Sequence, residues 1–341
     1  MQGLEGKVSK QDPAVFYWTN DDNEVQGILA THVDDFLFGG TEEFESNVID
    51  KVRKEFVIGN EESCSFKYTG LNISGTEDGI GFDQNFYTKN LEPIFLIRER
   101  ALQKDTTLSE AEKTMMRAKV GQLLWIGRQS RPDILFDTCD LASRIKNGIV
   151  KDMLDVNKVI KRAMSEKMTL IYRPLQEPDL LVYSDSSLGN MVNGGTQGGY
   201  LIGLLGKDKR FSPLSWGSRR VRRVVRSTLA GETLAMADAV DNAVYISTLY
   251  SELMTGDPSD ACVEISCLTD CKSLYEAVKS QKFVTEKRLR IEISGLKESL
   301  EKDVIHELKW ISTKEQLADC LTKKGASSAK LMNVLESGSM A

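Results

Sequence analysis

The stretch DLLVYSDSS, residues 179–187, decides the fold, because an apolar run typical of a buried strand ends there in an aspartate, Asp185. From residue 178 to residue 335 such patterns follow one another as strand, strand, strand, helix, strand, helix, helix, strand, helix. The five predicted strands are DLLVYSD, GGYLIGLLG, SPLSWGS, VEISCLTD and VIHELKWI. Three meander strands followed by alternating helices and strands predict a mixed five-stranded sheet with flanking helices, in the α/β (α+β) class.

Three further carboxylates occupy positions that are awkward for folding. Asp270 ends the fourth apolar strand, so it is expected beside Asp185 at neighbouring carboxyl ends of the sheet. On a helical wheel of STLAGETLAMADAVDNAVYISTLYSEL, Glu232 shares its stripe with apolar residues such as Met236 and therefore points inward. Asp319 lies in the second turn of a predicted last helix, STKEQLADCLTKK, whose first residues Ser312 and Glu315 match a capping box.

An inward carboxylate costs several kcal/mol unless a partner compensates it, and one such residue is most often a salt-bridged structural group. Four of them in one unit favour a shared cation instead. Hard divalent cations such as Mg²⁺ bind carboxylate oxygens and substrate phosphate. Two ions roughly 4 Å apart can activate a water and stabilise the leaving oxygen in phosphodiester hydrolysis. We therefore predict that Asp185, Glu232, Asp270 and Asp319 are catalytic and bind two Mg²⁺ (or Mn²⁺) ions.

Composition limits the class of protein. The chain has 341 residues, 41% of them hydrophobic, and it can bury a sizeable core. Its apolar runs are shorter than the roughly 20 residues that span a bilayer, and its first residues do not match a signal peptide. Its six cysteines show no paired spacing, so we expect reduced thiols. These features predict a soluble, intracellular protein that is not secreted and does not bind a membrane.

The charge distribution reveals one basic cluster. The formal net charge of −6 lies in the first 170 residues, because residues 171–341 hold equal numbers of acidic and basic side chains. Within the second part, WGSRRVRRVVRS concentrates arginines in a short stretch. Arg219, Arg220, Arg222 and Arg223 are predicted to bind nucleic-acid phosphates, which arginine contacts in a bidentate manner. The alternative is a solvated, charged strand edge.

Two smaller patterns precede the predicted sheet. AVFYW and VQGILATHV predict a hairpin that continues into FLFGG, with Asp34 at the end of the second strand. Thr41 is a predicted N-cap, and SFKYTGLNISGTEDGIGFDQ predicts a strand pair. The pattern then becomes helical, with predicted helices in AKVGQLLWIGRQ, PDILFDTCDLASRIKNG and MLDVNKVIKRAMSEK. The two prolines of RPLQEP indicate a linker.

The motifs resemble a known family. SDSS, STLAGETLA, LTDCKS and QLADCLTK occur in this order and are similar to the four motifs of the ribonuclease H domain in copia-type LTR retrotransposon Pol polyproteins. The resemblance extends upstream, where GQLLWIGRQSRPDILF is similar to the segment ahead of that nuclease. DPAVFYW and HVDD are similar to the second half of the family's reverse transcriptase. The implied site is an Asp-Glu-Asp-Asp metal centre that cleaves the RNA strand of an RNA:DNA hybrid.

The resemblance also implies a domain order. Residues 1–92 correspond to a partial reverse-transcriptase palm, 93–174 to a helical thumb or connection with a linker, 175–335 to a ribonuclease H domain, and 336–341 to a tail. In the palm, Asp34 and Asp35 match the aspartates of the polymerase motif, but the family carries a further metal-binding aspartate well upstream of this stretch. We therefore expect the polymerase site to be incomplete and inactive in this chain by itself.

The leading hypothesis is a metal-dependent endonuclease acting on the RNA strand of a hybrid. Ser186 and Ser187, directly after the first ligand, are predicted to contact 2′-hydroxyl groups, although serines there more often cap a turn. The alternatives are a catalytically silent remnant that binds nucleic acid and a polymerase completed by its missing N-terminal half. That half, or other Pol products, would be a partner, and the implied location is a cytoplasmic virus-like particle or the nucleus.

Overall fold

The computed structural model describes residues 6–191, 194–280, 284 and 286–340. Residues 1–5 of the predicted first unit and Ala341 of the predicted tail lie outside these ranges. Nothing in the structure tests the predicted domain bounds, which stay predictions. Within the described ranges, no helix combines the length and the apolar character needed to cross a membrane.

The first sheet contains four antiparallel strands in chain order. They are β1 (Lys7–Val8), β2 (Val15–Thr19), β3 (Val25–His32) and β4 (Asp35–Gly40). The predicted hairpin and its continuation are confirmed, but β3 ends at His32, so that Asp34 lies in the turn and not at the strand end. Thr41 caps the following helix as predicted, because its hydroxyl oxygen accepts the Phe44 N–H at 3.2 Å.

That helix covers the first sheet. It runs through α1 (Glu42–Phe44), a π-helical turn (Glu45–Ile49) and α2 (Asp50–Glu55). The apolar stripe of this helix is buried from Phe44 to Val52, with the centroids of the Phe44 and Trp18 rings 5.2 Å apart. Burial of this stripe stabilises an otherwise short helix, since helices of this length are marginal alone.

The second sheet departs from the sequence prediction at two points. Its strands are β5 (Ser65–Tyr68), β6 (Leu71–Thr76), β7 (Gly79–Asp83) and β8 (Leu170–Tyr172), antiparallel in that order. The predicted strand pair is therefore three strands, because Thr69 and Gly70 both adopt positive φ and make a tight turn within it. The sequence pattern also did not predict the strand β8, which lies just before the predicted linker RPLQEP and pairs with β7.

The helical part is confirmed in its three main helices. Its members are α3 (Asn85–Lys89), α4 (Arg98–Leu102), α5 (Glu110–Gln129), α6 (Leu135–Arg144) and α7 (Val150–Ser165). Pro132 begins a 3₁₀ turn that leads into α6, as its fixed φ favours. The preceding Arg131 is 2% exposed, and its guanidinium pairs with Asp133 at 2.8 Å and donates to the Ala163 carbonyl oxygen at 2.8 Å. The ion pair lies just before α6, and the hydrogen bond from Arg131 to Ala163 joins this segment to the end of α7.

The third sheet is the predicted mixed sheet. Its elements are β9 (Asp179–Ser187), β10 (Gln197–Leu205), β11 (Phe211–Arg220), α8 (Thr228–Thr255), β12 (Ile265–Thr269), α9 (Lys272–Lys279), α10 (Lys287–Glu301) and β13 (Glu307–Trp310). The spatial order is β11-β10-β9-β12-β13. The meander of β9, β10 and β11 is antiparallel, whereas β12 is parallel to both β9 and β13. The predicted fold class, a ribonuclease H-like five-stranded sheet with flanking helices, is confirmed.

The predicted last helix is wrong. The capping box of Ser312 and Glu315 is present, but only a 3₁₀ turn, Thr313–Glu315, follows it. Buried Gln316 adopts an extended conformation and donates its side-chain N–H to the Ser184 carbonyl oxygen at 3.0 Å, which ties the chain to β9 and stops the helix. A second 3₁₀ turn, Asp319–Leu321, comes next, and the final helix is α11 (Ala329–Ser337).

Two contacts join the first parts of the chain to the third sheet. Glu252 of α8 is fully buried and accepts the Ser9 hydroxyl at 2.6 Å and the Lys10 N–H at 2.9 Å. The Trp216 indole N–H on β11 donates to the Gly127 carbonyl oxygen of α5 at 2.9 Å. The sheet that carries the predicted site is thus packed against both upstream parts.

Candidate metal centre

Three of the four predicted carboxylates meet at one edge of the third sheet. Asp185 lies near the end of the central strand β9, and Asp270 directly follows the adjacent parallel strand β12. Asp319 begins its 3₁₀ turn beside them. One carboxylate oxygen from each of the three lies within 4.8 Å of the others. Residues 85 and 49 positions apart in the chain are thus brought together because parallel strands end at the same edge of a sheet.

Glu232 lies beside this group without belonging to it. It is 3% exposed on α8, in line with its predicted inward stripe. Its Oε1 accepts the N–H of Ser186 at 3.1 Å and the Ser186 hydroxyl at 3.0 Å. Its Oε2 is buried and has no hydrogen-bond partner within the part of the chain that the structure describes. A buried carboxylate oxygen without a donor is costly, and a bound cation would compensate it.

Two residues that the sequence reasoning missed complete the site. The Thr322 hydroxyl donates to Oδ2 of Asp185. The Lys323 ammonium lies 2.5 Å from Oδ1 of Asp319 and 3.4 Å from Oδ1 of Asp185. The signal was present in the motif QLADCLTK, since residues three and four positions after an aspartate return to its side in a helical turn. Lys323 therefore supplies a positive charge where the acidic group is most concentrated.

The environment of these side chains shifts their ionisation. Burial raises the pKa of Asp185, and the charges of Asp319 and Asp270 raise it further, while Lys323 and the Thr322 hydroxyl oppose the increase. Burial also raises the pKa of Glu232, with the Asp185 charge adding to it. Burial lowers the pKa of Lys323, but the neighbouring Asp185 and Asp319 outweigh it and the net pKa is raised. The site thus holds more negative charge than its surroundings stabilise, and a cation relieves it.

The donor set fits a hard divalent cation. Every side chain that could act as a ligand offers carboxylate oxygen, and the group contains no histidine or thiol. Oxygen ligands of this kind suit Mg²⁺, Ca²⁺ or Mn²⁺ in preference to softer metals. The Asp185, Asp270 and Asp319 group can therefore bind a metal. All six cysteines are free, as expected from their spacing.

The two predicted serines are part of the scaffold. Ser186 is 4% exposed and Ser187 is 2% exposed, both within β9. The Ser186 hydroxyl donates to Glu232, and the Ser187 hydroxyl donates to the Thr322 carbonyl oxygen at 2.6 Å. The Ser186 bond holds the first carboxylate segment against the second, and the Ser187 bond holds it against the fourth. A direct contact between either hydroxyl and a 2′-hydroxyl group is not supported by this geometry.

The arginine cluster is exposed at the end of β11 and in the loop that follows. Arg219 pairs with Asp238 at 2.6 Å and lies over the Tyr200 ring, with 5.8 Å between the guanidinium carbon and the ring centroid. Arg223 pairs with Glu292 of α10. Arg220 and Arg222 are exposed as well. Their predicted contact with nucleic acid stays a prediction, and two of the four side chains already have acidic partners.

The predicted polymerase motif lies between two strands of the first sheet. Asp34 and Asp35 are exposed in and after the turn between β3 and β4, next to Val33, which adopts a positive φ of 58°. In the described ranges, no third acidic or histidine side chain joins them in a group that could bind a metal. Their assignment to a polymerase motif stays a prediction.

Comparison with solved structures identifies the class of fold. A foamy viral protease-reverse transcriptase, solved in complex with an RNA/DNA hybrid, matches 88% of this chain and 37% of its own with a TM-score of 0.51 at 13% identity. The N-terminal ribonuclease H domain of Rv2228c from Mycobacterium tuberculosis, a fusion with maltose binding protein, matches 42% of this chain and 91% of its own with a TM-score of 0.29 at 17% identity. The chain thus shares its fold with the matched part of the foamy viral protein.

A curated relative points to the type of element. The chain is 21% identical over 314 residues to the Retrovirus-related Pol polyprotein from transposon RE1 of Arabidopsis thaliana, which is 86% of this chain and 20% of the relative. The predicted similarity to a retrotransposon Pol polyprotein is confirmed. This chain spans about a fifth of that relative's length. No protein-family model matches the chain.

Proposed function

We propose that this chain is a metal-dependent endonuclease of the ribonuclease H type that hydrolyses the RNA strand of RNA:DNA hybrids. The observation that carries the proposal is the meeting of Asp185, Asp270 and Asp319 at the carboxyl edge of the five-stranded sheet, with one oxygen of each within 4.8 Å of the others. Three of the four sequence motifs supply these aspartates, and the five-stranded sheet is mixed, as the sequence pattern predicts.

The chain's own residues would hold and orient the cation. Asp185, Asp270 and Asp319 supply oxygen ligands, and the unpartnered Oε2 of Glu232 is available on their flank. Thr322 fixes the rotamer of Asp185, and Ser186 fixes that of Glu232. A bound pair of Mg²⁺ (or Mn²⁺) ions would lower the pKa of a water nucleophile and stabilise the departing 3′ oxygen.

Lys323 and the arginine cluster would serve the substrate. With a divalent cation bound, the Lys323 ammonium would be free to leave its two carboxylates and to pair with a phosphate oxygen. Arg220, at the end of β11, and Arg222, in the loop that leads to α8, are exposed. They would contact the nucleic-acid backbone without distinguishing its base sequence. The foamy viral relative was solved with an RNA/DNA hybrid, which supports this choice of substrate.

The experiment uses the full chain with a hybrid labelled on its RNA strand. We expect cleavage of that strand in Mg²⁺, none in chelator, and none of the DNA strand or of duplex DNA. Asp270→Asn should abolish cleavage, because it removes one of three converging carboxylates. Asp260→Asn, an exposed carboxylate outside the group, is the matched control and should cleave normally. Equal, background cleavage by all three proteins would leave a silent remnant as the better description.

A further inference from the structure

A groove lies beside the carboxylate site, between α9 and the edge strand β13. Its volume is about 440 Å³, and its lining includes Tyr275, Lys279, Glu307, Lys309 and Trp310. Because β13 is the outermost strand of the third sheet, this groove opens to solvent along the edge of the sheet. None of these residues contributes to the metal centre described above.

Trp310 connects the groove to the metal centre. It is the last residue of β13, and its indole N–H donates to the carbonyl oxygen of Asp270 at 3.0 Å. The side chain is nevertheless 51% exposed, so the hydrogen bond holds a large aromatic face towards solvent next to a metal ligand. An exposed tryptophan fixed in this way is costly in water and suits a contact with an apolar ring face.

The charges around the groove favour an anionic ligand. Lys279 is exposed at the end of α9, and the described residues provide it with no ion-pair partner. Lys309 is exposed on β13 and pairs with Glu307. A lysine and an indole flanking one groove match the two surfaces of a nucleic-acid strand, the phosphate and the ring of the sugar or base.

We infer that the Trp310 groove is a binding subsite for one strand of the hybrid, next to the scissile position. The indole packs against a sugar ring or base face, and Lys279 pairs with a backbone phosphate. The inference deepens the proposed function and rests on it, because the hybrid bound at the carboxylates passes the adjacent groove. A peptide strand added to the β13 edge is disfavoured, since β13 has only four residues and the flanking lysines repel a basic partner.

The test measures binding separately from cleavage. The full chain carries Asp185→Asn to prevent hydrolysis, and its binding to a fluorescent RNA:DNA hybrid is titrated in chelator. We expect Trp310→Ala to weaken binding by roughly tenfold, in the range measured for loss of one aromatic contact. Trp310→Phe, which keeps an aromatic face but loses the hydrogen bond, should bind nearly as well as the parent. Phe95→Ala is the matched control, because Phe95 is 84% exposed and outside the groove.

Lys279 is tested by salt dependence. Lys279→Ala should lower the slope of log affinity against log salt by about 0.9, the value for one lost contact to a duplex phosphate. Lys104→Ala, an exposed lysine outside the groove, should leave the slope unchanged. An unchanged slope for Lys279→Ala would refute the pairing of Lys279 with a backbone phosphate.

The outcomes separate the subsite from the nuclease. If Trp310→Ala binds as tightly as Phe95→Ala while the unsubstituted chain cleaves the hybrid, the subsite is refuted and the proposed function stands. If Trp310→Phe binds as weakly as Trp310→Ala, the indole acts by positioning Asp270 and the subsite is again refuted. If the unsubstituted chain binds the hybrid but does not cleave it, the proposed function fails, and the binding series still decides the subsite.

Discussion

Removal of the Lys323 ammonium provides a sensitive test of the carboxylate group. Its Nζ contacts Asp319 at 2.5 Å and Asp185 at 3.4 Å, so it occupies the side of the site to which two of the three converging carboxylates point. A divalent cation must displace it or bind against its charge. Lys323→Ala should therefore strengthen the binding of Mn²⁺.

The magnitude follows from the geometry. Two unit charges about 4 Å apart interact by about 1 kcal/mol in water and about 4 kcal/mol at an effective dielectric constant near 20. The Lys323 side chain is 33% exposed, which places its interactions towards the lower of these limits. Removing the competing Lys323 charge should therefore improve the free energy of Mn²⁺ binding by about 1–2 kcal/mol, which corresponds to roughly 5- to 30-fold tighter binding.

Calorimetric titration of Mn²⁺ into the full chain measures the effect. The control is Lys324→Ala, which removes a neighbouring exposed lysine and should change the affinity little. In the metal-free protein, Lys323→Ala should also lower the midpoint of thermal unfolding, because Asp185 and Asp319 lose their counter-charge. Mn²⁺ should restore that midpoint. Mn²⁺ binding by Lys323→Ala that is equal to or weaker than that of Lys324→Ala would refute the reasoning.

Three further predictions concern ionisation and packing. Glu232→Gln should stabilise the metal-free protein at neutral pH by about 1 kcal/mol, measured by chemical denaturation. Burial raises the pKa of Glu232, so its ionisation weakens the fold at pH values above the pKa that this carboxyl has in the unfolded chain. The gain in stability should therefore vanish as the pH falls, and a gain that grows towards acid pH would contradict this sign. Mn²⁺ affinity should rise as the pH increases from about 5 to about 8, because the raised pKa of Asp185 keeps that ligand protonated above its ordinary range; a flat profile by calorimetry would contradict it. Glu252→Ala should lower the free energy of unfolding by about 1.5–3 kcal/mol, because it removes the acceptor of the Ser9 hydroxyl and the Lys10 N–H. It should also speed proteolysis of the first sheet, and Glu252→Gln should have a smaller effect. Equal proteolysis of the unsubstituted protein and both variants would argue against this contact.

The sequence predicts the third sheet well because its strands are apolar and bounded by clear turn residues. The long helix α8 before β12 allows β12 to return parallel to β9, which brings Asp185 and Asp270 to one edge. The inward position of Glu232 follows from the helical period alone, since α8 is long and regular. The positions of these residues follow from local patterns, which can be recognised in a single sequence.

The remaining errors arise where long-range contacts override a local pattern. The capping box at Ser312 correctly marks a helical start, but the bond from Gln316 to β9 ends the helix after one turn. The strand β8 was missed because its partner β7 lies far away in the chain. The contacts of Thr322 and Lys323 with Asp185 span 137 and 138 positions, although their place beside Asp319 could have been inferred from QLADCLTK.

The central claim is that Asp185, Asp270 and Asp319 share a divalent cation. Crystals of the full chain grown with Mn²⁺ and diffracted near the manganese absorption edge test it most directly. The account predicts an anomalous peak about 2.0–2.2 Å from oxygens of all three aspartates, with Lys323 displaced from Asp319. A structure at saturating Mn²⁺ with no such peak, and with Lys323 still bound to Asp319, would contradict it.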